Sequence, residues 1–197
     1  MANDMRYFIG NWKMFGVPKS INIVNKINTF VRSDIKHNKK YKVIITPPYI
    51  LLESFSKFYK NKKISIGGQN CYHKDNFGSN TGMISPYMIK SLGVKYLIVG
   101  HSDNRKEGDN NSVLKNKVTY ALKNKLKIIF CIGENKKEKR EKKTLKVLKS
   151  QISKALKKRY NFKKIIIAYE PIWSIGSGKV PLASELKKNI IILKRFV

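Results

Sequence analysis

The sequence predicts an α/β fold built on a parallel β-sheet. Six short apolar runs alternate with longer segments in which apolar residues recur every three to four positions. The runs at 97–99 and 165–168 are continuously apolar, as expected for strands that are buried on both faces. With 197 residues and 42% hydrophobic composition, the chain is long enough for one domain with a sizeable core, which we place over residues 1–197.

The first strands and helices follow from local patterns. Predicted strands occupy residues 7–12, 43–46, 64–68, 96–100, 127–131 and 165–169. Apolar residues at positions 21, 24, 27 and 31 form a stripe that predicts the first helix. A short helix is delimited by Ser85, which suits an N-cap, by Pro86 at its first position, and by Gly93 past its end.

The later helices are predicted from charge and apolar spacing. Residues 136–159 open with mixed charges and form one helical segment, whose buried face is supplied by Leu145, Leu148, Ile152 and Ala155. A last helix spans residues 183–196. The Lys-rich run at 142–149 is interpreted as the solvated face of a helix.

Six βα units are compatible with two architectures. An open, doubly wound sheet accommodates six strands, whereas an eight-unit barrel needs about 250 residues. In both, side chains that perform chemistry lie just past the carboxyl ends of the strands. The residues at those positions therefore help to decide between the two.

The chain is strongly basic, with 42 Lys plus Arg against 12 Asp plus Glu and a net charge of +30. A pI near 10.2 is typical of nucleic-acid-binding proteins. Only six of the basic residues are Arg, which recognises bases and phosphates bidentately, and no binding motif is present. Codon bias, a nucleic-acid surface and steering of an anionic small molecule all explain the charge. The first is favoured, so a nucleic-acid partner is not expected.

Two cysteines, Cys71 and Cys131, are too few for a disulfide scaffold, which favours a reducing, cytoplasmic setting. The N-terminus lacks the apolar core of a signal peptide, and no run reaches the ~18 apolar residues of a membrane helix. We therefore expect an intracellular protein without a membrane partner.

Chemically useful side chains follow three of the predicted strands. Asn11 and Lys13 lie at the end of strand one, His101 and Ser102 follow strand four, and Glu170 follows strand six. An ammonium, an imidazole and a carboxylate at one rim can bind an anion, polarise a carbonyl and remove a neighbouring proton. This combination indicates proton abstraction beside the carbonyl of a small phosphorylated substrate.

The strand ends resemble the signatures of the triosephosphate isomerase family. The matching motifs are Asn-Trp-Lys-Met at 11–14, Gly-His-Ser at 100–102, Cys-Ile-Gly-Glu at 131–134 and Ala-Tyr-Glu-Pro-Ile-Trp-Ser-Ile-Gly-Ser-Gly-Lys at 168–179. They occur in the family's order and near its spacing. The resemblance implies a (β/α)8 TIM barrel, of which this chain covers about the first six units.

The resemblance also implies roles for individual side chains. Glu170 corresponds to the base that moves a proton between two substrate carbons, and His101 to a neutral imidazole that polarises the carbonyl. Lys13 corresponds to the cation that binds the substrate and stabilises the developing negative charge, with Asn11 beside it. The family needs neither a metal nor an organic cofactor, so none is expected.

Residues 171–179 resemble the lid that closes over the substrate in this family. Pro171 stiffens one hinge, while Gly176 and Gly178 let the backbone approach a phosphate, and Gly176 contacts the substrate. Closure would exclude water from the reaction. The lid residues are Pro171, Ile172, Trp173, Ser174, Ile175, Gly176, Ser177, Gly178 and Lys179.

Residues 76–85, with Thr81 and Gly82, resemble the loop through which two subunits of the family dock, so a homodimer is implied. In the family, a Glu follows this Thr-Gly pair, and the Gly-His-Ser motif is followed by a Glu and then an Arg. Here the first Glu and the Arg are replaced by Met83 and Asn104. The usual Glu and Arg pair across the dimer, and their joint replacement leaves neither partner unpaired.

Two supporting residues, Ser102 and Asp103, follow His101. The family has Glu at the position of Asp103, whose side chain is one methylene shorter. Whether this carboxylate reaches Lys13 is left open by the sequence.

The family's last two βα units have no counterpart before Val197. They carry a Gly-Gly-Ser turn and a Gly-Gly turn that complete its phosphate site. We therefore expect strands one and six to be open edges. We also expect the chain as given to be inactive because it is incomplete. An incomplete sequence is favoured over a genuinely short protein.

The leading functional hypothesis is the family's reaction, the interconversion of dihydroxyacetone phosphate and D-glyceraldehyde 3-phosphate through an enediol, in glycolysis and gluconeogenesis. The alternatives are a truncated or degenerate non-catalytic relative that binds anions or a protein partner, and a nucleic-acid-binding protein. Lys13, His101 and Glu170 are all present, which favours the first hypothesis because a degenerate copy has no reason to keep all three.

Overall fold

The computed structural model describes residues 5–34, 40–60 and 62–196. Its strands form one parallel sheet. They are β1 (Arg6–Asn11), β2 (Tyr41–Thr46), β3 (Ser65–Gly68), β4 (Tyr96–Val99), β5 (Lys127–Ile132) and β6 (Ile165–Tyr169). All six predicted strands are confirmed, with bounds shifted by at most two residues.

The strand order decides between the two predicted architectures. A doubly wound sheet reverses its order at a switch point, whereas here each strand pairs with its neighbours in the chain, from β1 to β6. Right-handed crossovers that always advance in one direction place the helices on one side of the sheet, as in a (β/α)8 barrel. The TIM-barrel class is confirmed over six units, and β1 and β6 lie at the two ends of the sheet.

Helices connect and follow the strands. They are α1 (Ile21–Ser33), α2 (Tyr49–Phe58), α3 (Pro86–Ser91), α4 (Ser102–Lys106), α5 (Asn111–Lys123), α6 (Lys136–Arg140), α7 (Thr144–Ala155) and α8 (Ala183–Phe196). The predicted α1, α3 and α8 are confirmed, and Ser85 Oγ accepts a hydrogen bond from the Met88 N–H at the start of α3. Within the described ranges, no helix has the length and apolar character needed to cross a bilayer.

The single helical segment predicted over residues 136–159 is wrong. The chain forms α6 and α7 instead, separated by a turn in which Lys142 adopts a left-handed φ of 56°. A capping box between Asn135 and Glu138 starts α6. The buried face of α7 includes Leu148 and Ile152, as predicted.

The sheet separates two apolar clusters. The outer cluster lies between the sheet and the helices and includes Phe55, Leu114 and Phe130, all fully buried. Burial of each such side chain contributes about 1.5–3 kcal/mol. The inner cluster consists of Ile44, Tyr96, Ile98, Ile129 and Cys131, with Ile9, Ile166 and Ala168 packed against it. These inner residues correspond to the side-chain layers that fill a barrel.

Candidate active site

Charged and polar side chains from three strand ends form a continuous row of contacts. Lys13 Nζ lies 3.1 Å from Asp103 Oδ2. The same Asp103 oxygen lies 3.3 Å from His101 Nδ1, and His101 Nε2 lies 3.2 Å from Glu170 Oε2. The structure therefore brings together the three residues to which the sequence assigned chemistry, at the carboxyl ends of β1, β4 and β6.

Lys13 is held in place by its backbone. It adopts a left-handed φ of 51°, which is uncommon for a residue with a side chain. The Lys13 N–H donates to Asn11 Oδ1 at 3.0 Å, and the Lys13 carbonyl accepts from Gln69 Nε2 at 2.8 Å. The same Gln69 amide donates to the Thr46 carbonyl at 2.9 Å. Asn11 and Gln69 thus stabilise a backbone conformation that aims the ammonium along the rim.

Asp103 reaches Lys13 despite its shorter side chain, which answers the question left open by the sequence. Burial raises the pKa of Asp103, but the hydrogen bond from Lys13 and the positive charges around it outweigh that effect. The net shift of the pKa is downward. Asp103 is therefore an ionised partner for Lys13 at neutral pH.

His101 carries its proton on the nitrogen that faces Glu170. The imidazole is only 7% exposed, and its Nδ1 accepts a hydrogen bond from the Asp103 backbone N–H at 3.1 Å. A backbone N–H can only donate, so Nδ1 holds a lone pair and the hydrogen resides on Nε2. This arrangement is a neutral imidazole with a donor aimed into the site.

Glu170 is held by both of its oxygens. Oε1 accepts a hydrogen bond from the Ser102 backbone N–H at 3.2 Å, and Oε2 faces His101. Burial raises the pKa of Glu170, while His101, the Ser102 N–H and Lys13 act in the opposite direction. The net shift is upward. A carboxylate with a raised pKa is a stronger base, and thus better suited to removing a proton from carbon.

Arg105 has a role that the sequence did not reveal. Its Nε donates to the Gly100 carbonyl at 2.7 Å, and its Nη2 donates to the Cys131 carbonyl at 2.9 Å. The guanidinium also stacks 5.8 Å from the centre of the Phe130 ring. It therefore joins the ends of β4 and β5 beside His101. Cys131 is 26 positions away, so no local pattern could have signalled the contact.

We expect Arg105→Met to lower the free energy of unfolding by about 2–4 kcal/mol, because two buried carbonyls lose their donors. Urea unfolding at neutral pH measures the loss. The control is Arg159→Met, since Arg159 is exposed, and it should change stability by less than about 0.5 kcal/mol. Equal effects of the two substitutions would contradict the assigned role.

Glu134 is a second residue to which the sequence analysis gave no role. It is fully buried and accepts hydrogen bonds from Trp173 Nε1 at 2.8 Å and from the Tyr169 hydroxyl at 3.1 Å. Its carbonyl accepts from the Ile172 N–H. Burial and the adjacent carboxylate raise the pKa of Tyr169. Glu134 therefore ties the first turn of the predicted lid to the end of β5. Its place in the Cys-Ile-Gly-Glu motif was the available signal.

The rest of the predicted lid is exposed. Gly176 and Gly178 adopt positive φ values of 66° and 68°, and a Cβ at either would meet nothing within 4 Å. Ser174 Oγ donates to the Lys179 carbonyl at 2.6 Å, which closes the loop on itself. The described structure brings Pro171 and Trp173 next to the site but does not bring Gly176 to it.

The predicted dimer loop also lies apart from the row of contacts. Thr81 and Gly82 are exposed, and within the described part of the chain no hydrogen bond or ion pair joins them to Lys13 or Glu170. Met83 is 51% exposed.

Comparisons with known proteins agree with this geometry. The sequence model of the triosephosphate isomerase family matches residues 6–196. The triosephosphate isomerase of Leptospira interrogans serogroup Icterohaemorrhagiae serovar copenhageni is 37% identical over 184 residues, which is 91% of this chain and 72% of that protein. The Wolbachia pipientis wMel triosephosphate isomerase is 37% identical over 188 residues, covering 94% of this chain and 72% of that protein. The crystal structure of Bartonella henselae triosephosphate isomerase has 30% sequence identity and a TM-score of 0.81, covering 94% of this chain and 73% of that one. Shared sequence and shared fold thus lead to the same conclusion: the chain belongs to the triosephosphate isomerase family.

Proposed function

We propose that this chain is a triosephosphate isomerase that interconverts dihydroxyacetone phosphate and D-glyceraldehyde 3-phosphate. The row of contacts from Lys13 through Asp103 and His101 to Glu170 carries the proposal. It arranges a cation, a hydrogen-bond donor and a base around one position at the rim. These are the three groups that an enediol mechanism requires.

In the proposed mechanism one hydrogen moves between adjacent carbons. The Glu170 carboxylate removes a proton from the carbon beside the substrate carbonyl and returns it to the neighbouring carbon. His101 Nε2–H, which now faces Glu170, polarises the carbonyl by donating its proton to that oxygen and takes back the proton of the neighbouring hydroxyl, so the hydroxyl and the carbonyl exchange places. The Lys13 ammonium stabilises the negative charge of the enediolate. Substrate and product are isomers, so the step needs no external oxidant or reductant.

We further propose that residues 171–179 close over the bound substrate, in a family that is itself a standard example of lid closure. The hydrogen bond from Trp173 to Glu134 fixes the first turn of this segment. Gly176 and Gly178 supply the backbone freedom for the part that moves. Closure would bring the Gly176 backbone to the substrate phosphate and exclude water from the enediolate.

We propose a homodimer formed through residues 76–85. Large apolar side chains are exposed both on this loop and beside Lys13, with Phe77 77%, Met14 94% and Phe15 75% exposed. A two-fold interface that brings the loop of one copy against the Lys13 turn of the other would bury both groups.

We propose a cytoplasmic location and a role in glycolysis and gluconeogenesis. Both cysteines are buried and free, which suits a reducing compartment. The proposed substrate and product are triose phosphates of these two routes.

The test is deuterium incorporation into dihydroxyacetone phosphate in D₂O, followed by proton NMR. It is run on the chain itself and on a chimera that adds the part of the Leptospira relative outside the match. We expect the chimera to incorporate deuterium and to isomerise the substrate. The chain alone should react much more slowly, because the relative is longer than the region that it shares with this chain. Absence of both reactions from a folded chimera would favour a non-catalytic relative instead.

A further inference from the structure

The side-chain amide of Gln151 binds one glycine at two points. Gln151 lies in α7, and its Oε1 accepts a hydrogen bond from the Gly133 N–H at 2.9 Å. Its Nε2 donates to the Gly133 carbonyl, also at 2.9 Å. Gly133 directly follows β5, so a single side chain joins α7 to the end of this strand and pairs both backbone groups of the glycine.

The residues on either side of Gly133 hold the segment that carries the proposed base. The Ile132 carbonyl accepts a hydrogen bond from the Glu170 N–H at 2.9 Å. The Glu134 carbonyl accepts one from the Ile172 N–H at 3.0 Å. The three residues centred on Gly133 therefore pair with the backbone of the base and with the start of the proposed lid.

The peptide group between Ile132 and Gly133 transmits the contact. A peptide group is planar and trans, so its carbonyl and its N–H point in opposite directions. Gln151 binds the N–H of this group on one side. On the other side, the carbonyl accepts the hydrogen bond from the Glu170 N–H. Gln151 therefore sets the direction of the hydrogen bond that holds the Glu170 backbone.

Gly133 needs this support because it is a glycine. A Cβ at this position would overlap the Glu170 carbonyl, so the close approach of the two segments requires glycine. Glycine also has more backbone freedom than any other residue. Gly133 is buried, and Gln151 supplies the partners that its N–H and carbonyl require there. The amide thus removes a freedom that the close approach brings with it.

We infer that Gln151 is a positioning residue for the Glu170 base and for the start of the lid at residues 171–179. Its amide fixes the peptide group before Gly133, and that group holds the Glu170 backbone. The Glu170 carboxylate is thereby kept opposite His101, 3.2 Å from its Nε2. The effect on catalysis rests on the proposed function, whereas the effect on the backbone does not.

Hydrogen–deuterium exchange of the full chain and of the chimera tests the effect on the backbone. Gln151→Met keeps the length of the side chain and removes both hydrogen bonds. The buried anchor Leu148 remains, so α7 should still form, and circular dichroism checks this. The amides of Glu170 and Ile172 should exchange at least about fivefold faster, since each lost hydrogen bond typically changes an equilibrium about two- to tenfold. Exchange in β2, which is three strands away from β5, should change less than about twofold.

The matched control is Lys154→Met, which places the same residue at an exposed position of α7. It should leave exchange in both regions within about twofold of the parent. Equal acceleration by the two substitutions would show that the start of the lid responds to any change in α7. That result would overturn the inference, and so would unchanged exchange at Glu170 in Gln151→Met.

Steady-state kinetics of the chimera test the effect on catalysis. Gln151→Met should lower kcat by about 10- to 100-fold, the cost of displacing the base by up to about 1 Å. KM should change less than about threefold, because Lys13, at the end of β1, keeps its contacts. Ile152→Val loosens the packing of the same helix but leaves the Gln151 amide in place, so kcat should stay within about twofold.

The kinetic outcomes separate the two proposals. An equal fall in kcat for Ile152→Val would show that kcat follows the stability of α7, and it would overturn the inference. So would an unchanged kcat in Gln151→Met. An inactive parent chimera would contradict the proposed function alone, and the exchange measurement would then decide whether Gln151 positions the backbone.

Discussion

Replacing Glu170 with Gln is expected to lower kcat for isomerisation by about 10²- to 10⁴-fold, the usual contribution of a general base. The amide keeps the size of the carboxylate and can still accept from the Ser102 N–H, but it cannot take a proton from carbon. The measurement is steady-state isomerisation by the chimera, with deuterium incorporation as the sensitive readout. Unchanged turnover would remove Glu170 from the mechanism.

The same variant should be at least as stable as the parent at neutral pH. Because burial is the largest influence on Glu170 and its net pKa shift is upward, the folded state favours the protonated carboxyl. That preference stabilises the fold below the ordinary Glu pKa, and its effect is lost as the pH rises through the raised value. The Glu170→Gln substitution avoids an ionised buried carboxylate at pH 7. The variant's advantage in urea unfolding should therefore shrink towards pH 4, and a lower stability at pH 7 would contradict the desolvation argument.

The strands were predictable because burial on both faces leaves a local signature. A continuous apolar run such as residues 97–99, placed between helical segments, is typical of a strand that is covered on both faces and of little else. The break between α6 and α7 was not predictable in the same way. It depends on Lys142 in a left-handed conformation, and the sequence has neither Gly nor Pro at that turn.

The candidate site shows a similar division. Lys13, His101 and Glu170 could be found because motifs mark the ends of parallel strands. The contact of Asp103 with Lys13 depends on a distance of 3.1 Å that no spacing rule supplies.

Replacing Gly133 with Ala is expected to destabilise the protein by about 3 kcal/mol and to lower kcat by about 100-fold. A Cβ at Gly133 would overlap the Glu170 backbone carbonyl and lie 3.2 Å from Ile172 Cγ1. The backbone of Gly133 cannot easily move away, because Gln151 binds both its N–H and its carbonyl at 2.9 Å. Urea unfolding and the isomerisation assay in the chimera measure the two effects.

The two effects are linked because the obstacle at Gly133 is the backbone of the base itself. If the Glu170 backbone shifts to admit the methyl group, its carboxylate leaves the position opposite His101, and a displacement of about 1 Å is enough to cost about 100-fold in rate. The control is Gly10→Ala on β1, where the new methyl would make an ordinary 3.4 Å contact with Ile45 Cδ1. That change should cost less than about 1.5 kcal/mol. If Gly133→Ala behaved like the control in both measurements, the close contact of Gly133 with the Glu170 backbone would have no part in positioning the carboxylate.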